Sequence, residues 1–184
     1  RLAFPVMLSR AGLLVMTTVD TVMTGRAGAE ELAFLAIGLA PFILLMLIGT
    51  GMLTGTVVLV AQAHGAGEAD SVGRIWQLAL LDAALLGILA LVLLGGTEGF
   101  LRAAGQTPTI AAGGAGVAFQ LGLGMPAMLG YVATTLVLEG LGRPRPGVVA
   151  IALGNLANIP LNHLLIHGFP GFAPMGAAGA ALAT

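Results

Sequence analysis

The sequence predicts an all-α protein, a polytopic membrane helix bundle, and three observations lead to this prediction. Of the 184 residues, 58% are hydrophobic and 8% are charged. The mean hydropathy is +1.02, a value that would leave large apolar patches on a domain surrounded by water. Apolar residues form long runs such as LALLDAALLGILALVLL, without the alternation of polar and apolar residues seen in membrane β-strands. The 29 glycines are typical of closely packed membrane helices.

Polar and glycine-rich segments divide the chain into five complete apolar spans and the start of a sixth. A bilayer core about 30 Å thick requires roughly 20 helical residues, and each complete span reaches that length. The chain starts without Met and stops inside an apolar run, so we expect it to be a piece of a longer protein. The predicted helices are residues 2–24, 29–62, 75–96, 108–138, 146–167 and 175–184.

The first span ends in TTVDTVMTG, which places the acid Asp20 within a mainly apolar run. Thr17 and Thr24 share its helical face, because residues three and four apart are neighbours on a helix. Their hydroxyls are candidates to hydrogen-bond the carboxyl, to help ligate a cation, or to line a cavity. Burial and the negative end of the helix dipole both disfavour a bare carboxylate at this position unless a cation is near. Asp20 is interpreted either as an interfacial acid wetted by the outer headgroups or as a titratable coupling site, since intramembrane acids usually serve function.

The second and fourth spans are long enough to tilt or to protrude from the bilayer, and both contain proline. A proline inside a helix removes a hydrogen-bond donor and tends to free a carbonyl one turn back. In a membrane such breaks survive where neighbouring helices or a water-filled cavity satisfy the exposed groups. Four of the five spans contain one, which favours bent helices around a cavity and hence transport: Pro5, Pro41, Pro126 and Pro160.

The third and fourth spans each carry one further polar candidate. Asp82 has no arginine at helical spacing that could reach it. It is interpreted either as a second titratable site or as an acid that faces an internal cavity. Gln120 is a candidate for the lining of a cavity.

The fifth span, in GNLANIPLNHLLIHG, carries Asn155, Asn158 and Asn162 on one stripe of a helix. Three amides on one face cannot all point into lipid without partners. Two interpretations stay open: the amides join neighbouring helices, or they line a cavity shared with Asp20. His163 and His167 are spaced like a metal-binding pair, but without the Glu of an HExxH motif they are interpreted as interfacial.

The positions of the arginines predict that the N-terminus is cytoplasmic. Four arginines then lie inside and two lie in outside loops, in agreement with the positive-inside rule. The inside set is Arg1, Arg74, Arg143 and Arg145, and the outside set is Arg26 and Arg102. A net charge of −1 argues against nucleic-acid binding, and the absence of cysteine excludes a thiolate metal site. No phosphate-binding loop or catalytic triad pattern occurs, so neither an enzyme nor a cofactor is expected.

Four segments resemble the multidrug and toxin extrusion (MATE) family. VDTVMTGRAGAEELAFLAIG (residues 19–38) is similar to its first-helix exit and second-helix entry, and VAQAHGAG (60–67) to the end of its second helix. GNLANIPLNHLLIHG (154–168) resembles its fifth helix, and GAAGAALAT (176–184) the start of its sixth. The four segments follow the order of the family across the whole chain.

The resemblance implies twelve helices in two lobes around a cleft, in the bacterial inner membrane, with cationic drugs exported in exchange for H⁺ or Na⁺. This chain would be the N-terminal lobe, and its partners would be the bilayer, small cationic substrates and its own C-terminal lobe. By motif, Asp20 matches the coupling acid of the first helix, Asn158 and Asn162 match polar positions of the fifth, and Thr184 matches a hydroxyl of the sixth. Asn162 replaces the Asp frequent in the damage-inducible type, which points to the NorM-like branch and leaves the ion open.

Two other classes of protein are weighed against the antiporter. A related lipid-linked oligosaccharide flippase is expected to carry more arginines in its cavity for phosphate, whereas Arg10 is the one arginine within a predicted span. A membrane-embedded enzyme is expected to show clustered catalytic or metal-binding residues at the interface, and no such pattern occurs in the sequence.

Overall fold

The computed structural model describes residues 3–169 and 171–184, with side chains from residue 7 onward except those of 9, 10 and 170. Arg1, Leu2 and the side chains of Pro5 and Arg10 lie outside the described residues. The described chain is an all-α bundle, which confirms the predicted fold class. Its helices are α1 Ala3–Ala27, α2 Ala29–Leu53, α3 Gly55–Gly65, α4 Ala69–Gly95, α5 Thr97–Ala103, α6 Pro108–Gly140, α7 Arg145–His167 and α8 Gly176–Ala183.

Four helical segments of the described chain are long and apolar enough to cross a bilayer. They are Ala29–Gly65, Ala69–Gly95, Pro108–Gly140 and Arg145–His167. Large apolar side chains such as Leu47, Val92 and Leu156 are exposed on the outer faces of these helices. Such faces are stable in contact with lipid, because lipid tails are as apolar as these side chains. The chain is a multi-pass membrane protein.

The predicted span 29–62 is two helices, because a turn at Thr54 interrupts the helix between α2 and α3. The Thr54 N–H donates to the Gly51 carbonyl at 3.2 Å, three residues back, and its hydroxyl donates to the Thr50 carbonyl at 2.9 Å. This is the tighter pattern of a 3₁₀ turn. Gly51 and Gly55 flank the turn, and glycine weakens a helix by about 1 kcal/mol relative to alanine.

Hydropathy also missed two polar helical segments. The helix α4 begins at Ala69, ahead of the predicted residue 75, because its first turn is the polar segment ADSVGR. The short helix α5 was not predicted at all. In α5 the exposed Arg102 and Glu98 form an i,i+4 ion pair at 2.6 Å, which supports a helix by a few tenths of a kcal/mol.

The ends of α6 are set by local sequence. Thr107 is its N-cap, and the Thr107 hydroxyl oxygen accepts from the Ile110 N–H at 3.4 Å. Pro108 occupies the first helical position, where its missing N–H costs nothing. At the other end Gly142 has a φ of +68°, a left-handed conformation that favours glycine and terminates helices.

The core of the bundle is α6, which packs against α2, α3, α4, α5 and α8. Glycines bring the backbones into direct contact at its crossings. A Cβ atom at Gly38 of α2 would lie 2.6 Å from the Gly114 carbonyl oxygen of α6, and a Cβ at Gly87 of α4 would overlap Pro126. Close approach through small residues is how membrane helices gain packing energy. The helices α1, α7 and α8 form a second group that packs beside this core.

Gly38→Ala is expected to destabilise the bundle by about 1–3 kcal/mol, because the added methyl must displace α6. The matched control is Gly51→Ala on the same helix, where a Cβ meets nothing within 4 Å. This control is expected to be neutral or slightly stabilising. Thermal unfolding of the two variants in detergent measures the difference. Equal unfolding temperatures would show that the crossing tolerates a side chain.

Candidate functional site

A buried hydrogen-bond cluster joins α1, α7 and α8 at Asp20, which is 5% exposed. Asn162 Nδ2 donates to Asp20 Oδ1 at 2.6 Å, and Asn158 Nδ2 donates to the same oxygen at 3.1 Å. Asn162 Nδ2 also donates to Asn158 Oδ1 at 2.9 Å. The two asparagines are one helical turn apart on α7, so both amides reach the same carboxylate. In all three bonds the donor is a neutral amide.

The third donor to Asp20 is Thr184, the residue that follows α8. Thr184 Oγ1 lies 2.7 Å from Asp20 Oδ2 and 3.2 Å from the carbonyl oxygen of Ala180. A hydroxyl has one hydrogen, so it donates to one of these acceptors at a time. When it donates to Ala180, its lone pairs are free to accept a hydrogen from a protonated Asp20. The same geometry therefore satisfies the carboxylate and the carboxylic acid.

Two buried oxygen atoms near this cluster have no hydrogen-bond partner among the described residues. They are Asn162 Oδ1 and Thr24 Oγ1, and both side chains are 0% exposed. A buried polar group without a partner costs about 1–3 kcal/mol. Thr24 shares the helical face of Asp20, but its hydroxyl makes no bond to the carboxylate. The unpaired amide oxygen of Asn162 is an available oxygen ligand beside Asp20.

Thr17 and Asn155 do not join the cluster. Thr17 is exposed, and its hydroxyl lies within bonding distance of the carbonyls of Leu14 at 3.0 Å and Leu13 at 3.3 Å, as helical threonines often do. Asn155 Nδ2 donates to the Gly12 carbonyl at 3.0 Å and to the Ile151 carbonyl at 2.9 Å. Asn155 thus joins α7 to α1, whereas Asn158 and Asn162 bind the acid.

The remaining polar candidates lie apart from Asp20. Asp82 is exposed on α4, a helix that packs mainly on α6. His163 and His167 are exposed, with ring centroids 5.2 Å apart in an edge-to-face arrangement. Within the described residues no group of three or more metal-ligating side chains occurs. Gln120 is partly buried and lines a cavity of about 210 Å³ to which Thr184 also contributes.

A second cavity, of about 240 Å³, lies beside the cluster and is almost entirely apolar. Thr184 lines it too, so one residue belongs both to the Asp20 cluster and to the cavity wall. Flexible methionines and the aromatic ring of Tyr131 give this wall an adaptable surface. The lining residues are Leu13, Met16, Met46, Ala127, Met128, Tyr131, Val132, Ala150, Ile151, Gly154 and Thr184.

Sequence reasoning missed Glu31 and the cavity wall. Glu31 Oε2 accepts from the Ala177 N–H at the start of α8, at 2.6 Å. In the sequence Glu31 follows Glu30 in the first turn of α2, where acids are common, so nothing separates the two. Met46 and Tyr131 line the cavity from within long apolar runs. Tyr131 is the only tyrosine in the chain, and this rarity was the only feature of the sequence that could have singled out the cavity wall.

Comparison with known proteins shows consistent similarity along the chain. The family model MatE matches residues 5–164. The probable multidrug resistance protein NorM of Caulobacter vibrioides is 37% identical over 186 residues, covering 100% of this chain and 39% of the relative. Multidrug resistance protein PmpM of Pseudomonas aeruginosa is also 37% identical, with 100% and 39% covered. MdtK of Pectobacterium atrosepticum is 32% identical, with 100% and 40% covered. The chain thus spans about two fifths of the length of these relatives.

Solved transporter structures share this fold. A MOP superfamily transporter from Pyrococcus furiosus superposes with a TM-score of 0.88 at 23% identity, covering 100% of this chain and 40% of that one. An outward-facing multidrug resistance MATE family transporter gives the same values. An inward-facing one gives a TM-score of 0.80 at 22% identity, with 92% and 38% covered.

Proposed function

Because the chain belongs to the MatE family of multidrug and toxin extrusion proteins, we propose that it is the N-terminal lobe of a secondary antiporter. The antiporter exports cationic drugs in exchange for a cation by alternating access. The observation that carries this proposal is the double role of Thr184. Its hydroxyl bonds the buried acid Asp20, and the same residue lines the apolar cavity, so a change at the acid acts on a residue of the cavity wall.

Asp20 is proposed as the residue that binds the coupling ion, with Asn158, Asn162 and Thr184 as its immediate partners. Hydrogen bonds to a charged oxygen are roughly twice as strong as those to a neutral one. Neutralisation of Asp20 therefore weakens three bonds that join α1 to α7 and α8. An ion can bias the two access states only as far as it binds them differently, and these bonds supply that difference.

Of the two candidate ions, the arrangement favours H⁺ over Na⁺. The amide N–H groups of Asn158 and Asn162 face the carboxylate, so a sodium ion would require both amides to rotate. A proton requires the Thr184 hydroxyl alone to turn toward the Ala180 carbonyl. Na⁺ would gain the unpaired Asn162 Oδ1 as a ligand, so a gradient measurement has to separate the two ions.

The cavity lining suits a substrate that is apolar and cationic. Its methionines can repack around different shapes, and the ring of Tyr131 can attract a cation over its face. A volume of about 240 Å³ is below the usual range for a drug-sized ligand, roughly 300–1,000 Å³. We infer that a C-terminal lobe of the same protein completes the site, in a bacterial inner membrane with the N-terminus cytoplasmic. The described lining carries no arginine to pair with the phosphate of a lipid-linked oligosaccharide.

The test is efflux of a fluorescent organic cation by the full-length protein in proteoliposomes. We expect a pH gradient to drive export without Na⁺, and a Na⁺ gradient alone to be ineffective. Export driven by Na⁺ alone would assign the other ion, and transport of a lipid-linked oligosaccharide without cation efflux would support the flippase.

Thr184→Val is expected to shift half-maximal efflux to a proton concentration about tenfold lower, because a charge-assisted hydrogen bond is worth roughly 1.5–3 kcal/mol. The variant removes a donor to the ionised acid while it preserves the side-chain shape. Thr184→Ser, which keeps the hydroxyl, is the matched control and should follow the wild type. Both are measured as efflux rate against pH at constant gradient. An unchanged pH dependence of Thr184→Val would remove Thr184 from the coupling mechanism.

A further inference from the structure

The short helix α8 is held at its N-terminus by groups from two other helices. The Ala177 N–H donates to Glu31 Oε2 on α2 at 2.6 Å. The N–H of Met175, the residue before α8, donates to the Leu165 carbonyl of α7 at 3.0 Å. Glu31 is partly buried, while its neighbour Glu30 is exposed.

The fit around Glu31 is close. Gly176 has a φ of +55°, and a Cβ atom added to it would overlap the Glu31 carboxylate. The first N–H groups of a helix have no partner within the helix, and an acid placed there satisfies them and interacts favourably with the helix dipole. Glu31 thus supplies from α2 the cap that α8 lacks in its own sequence, since Met175 makes no capping bond with its side chain.

Glu31 and the Asp20 cluster both contact the segment that contains α8. Thr184 follows Ala177 by seven residues, which is about 10 Å along a helix. The buried residues of α8 are Ala177, Gly179, Ala180 and Ala181, and side chains this small interlock little with their neighbours. The position of the Thr184 hydroxyl therefore depends on contacts of the α8 backbone, and the bond from the Ala177 N–H to Glu31 is one of them.

We propose that Glu31 is a positioning residue for ion coupling, because it fixes α8 so that the Thr184 hydroxyl reaches Asp20. This inference rests on the proposed function, in which Thr184 transmits the state of Asp20 to the cavity. Glu31 does not touch the ion or the drug. It acts through α8, from the start of α2, and links the entry of the second helix to the coupling acid.

The test measures efflux against pH for the full-length protein. Glu31→Ala is expected to shift half-maximal efflux about three- to tenfold toward lower proton concentration, in line with the loss of a helix cap. Glu31→Gln keeps an acceptor oxygen but loses the charge, so its shift should be smaller than that of Glu31→Ala. The matched control is Glu30→Ala, an exposed acid one residue away, which should leave the pH dependence unchanged.

A double variant separates positioning from general damage. In a Thr184→Val background, Glu31→Ala should cause no further shift, because both changes act on one hydroxyl. A shift that persists in that background, or a wild-type pH dependence for Glu31→Ala, would overturn the inference. Gly176→Ala disturbs the same contact from α8 and replaces Glu31→Ala if the latter does not accumulate in the membrane. A wild-type pH dependence of Gly176→Ala would count equally against the inference.

Asp20→Asn, measured in parallel, distinguishes the two levels of the proposal. If Asp20→Asn keeps the pH dependence of the wild type, the proposed function of Asp20 is wrong. If Asp20→Asn loses that dependence and Glu31→Ala keeps it, Asp20 retains its role and the inference about Glu31 alone is wrong.

Discussion

Asp20→Asn is expected to reduce gradient-driven efflux by at least about 100-fold, because a protein that no longer binds the ion differently in its two states cannot be driven by that ion. The variant should still fold and insert. The carbonyl oxygen of the new amide can accept from Asn158 and Asn162 as Oδ1 does now. Its NH₂ group can donate to the Thr184 hydroxyl, which then turns to the Ala180 carbonyl at 3.2 Å.

The measurement is efflux at equal membrane abundance, together with equilibrium binding of the same cation without a gradient. Binding should survive, because the cavity lining contains none of the cluster residues except Thr184. Asp82→Asn is the matched control, since Asp82 is an exposed acid on α4 outside the cluster. Wild-type pumping by Asp20→Asn would assign coupling elsewhere, and Asp82 would be the next acid to examine.

Asn162→Leu is expected to lower the free energy of unfolding by about 2–4 kcal/mol, because a buried carboxylate loses its shortest hydrogen bond. The same change removes the bond from Asn162 to Asn158. Thermal unfolding of the full-length protein in detergent measures the loss. Asn155→Leu is the matched control on the same helix: it breaks bonds to the carbonyls of Gly12 and Ile151 only and should cost about 1 kcal/mol.

The cost of Asn162→Leu should depend on the charge of Asp20. In an Asp20→Asn background the loss should fall to less than half, because the group left behind is then neutral. The same loss in both backgrounds would show that Asn162 contributes packing volume and not a bond to a charge.

The sequence carried more information about the site than about the helix ends. Asp20, Asn158 and Asn162 could be predicted to meet because polar groups in apolar spans need partners, and helical spacing placed the two asparagines on one face. The place of Thr184 beside them was implied by the family resemblance, since a threonine in an apolar run has no distinguishing pattern. Its roles, like that of Asp20, remain predictions for the experiments above.

Other features depend on tertiary structure and could not be predicted. Glu31 and Glu30 are equivalent in the sequence, and they differ in the structure because the first turn of α8 lies beside Glu31. Thr24 shares the helical face of Asp20, yet its hydroxyl does not bond the acid. The break at Thr54 and the helix α5 escaped detection because hydropathy averages over a span and does not report its local hydrogen bonding.

The contact between α7 and α8 links the positions of the three donors to Asp20. A Cβ atom at Gly179 would lie 2.5 Å from the Leu165 carbonyl oxygen, so the two backbones touch and leave little room to slide. We therefore expect the three donors to bind or release the acid together, although Asn158 and Asn162 lie on α7 and Thr184 follows α8. Packed elements of this kind change between discrete arrangements and do not deform continuously. If Asp20 binds the coupling ion as proposed, we expect the lobe to switch between two shapes, so that a partly neutralised population is a mixture of both.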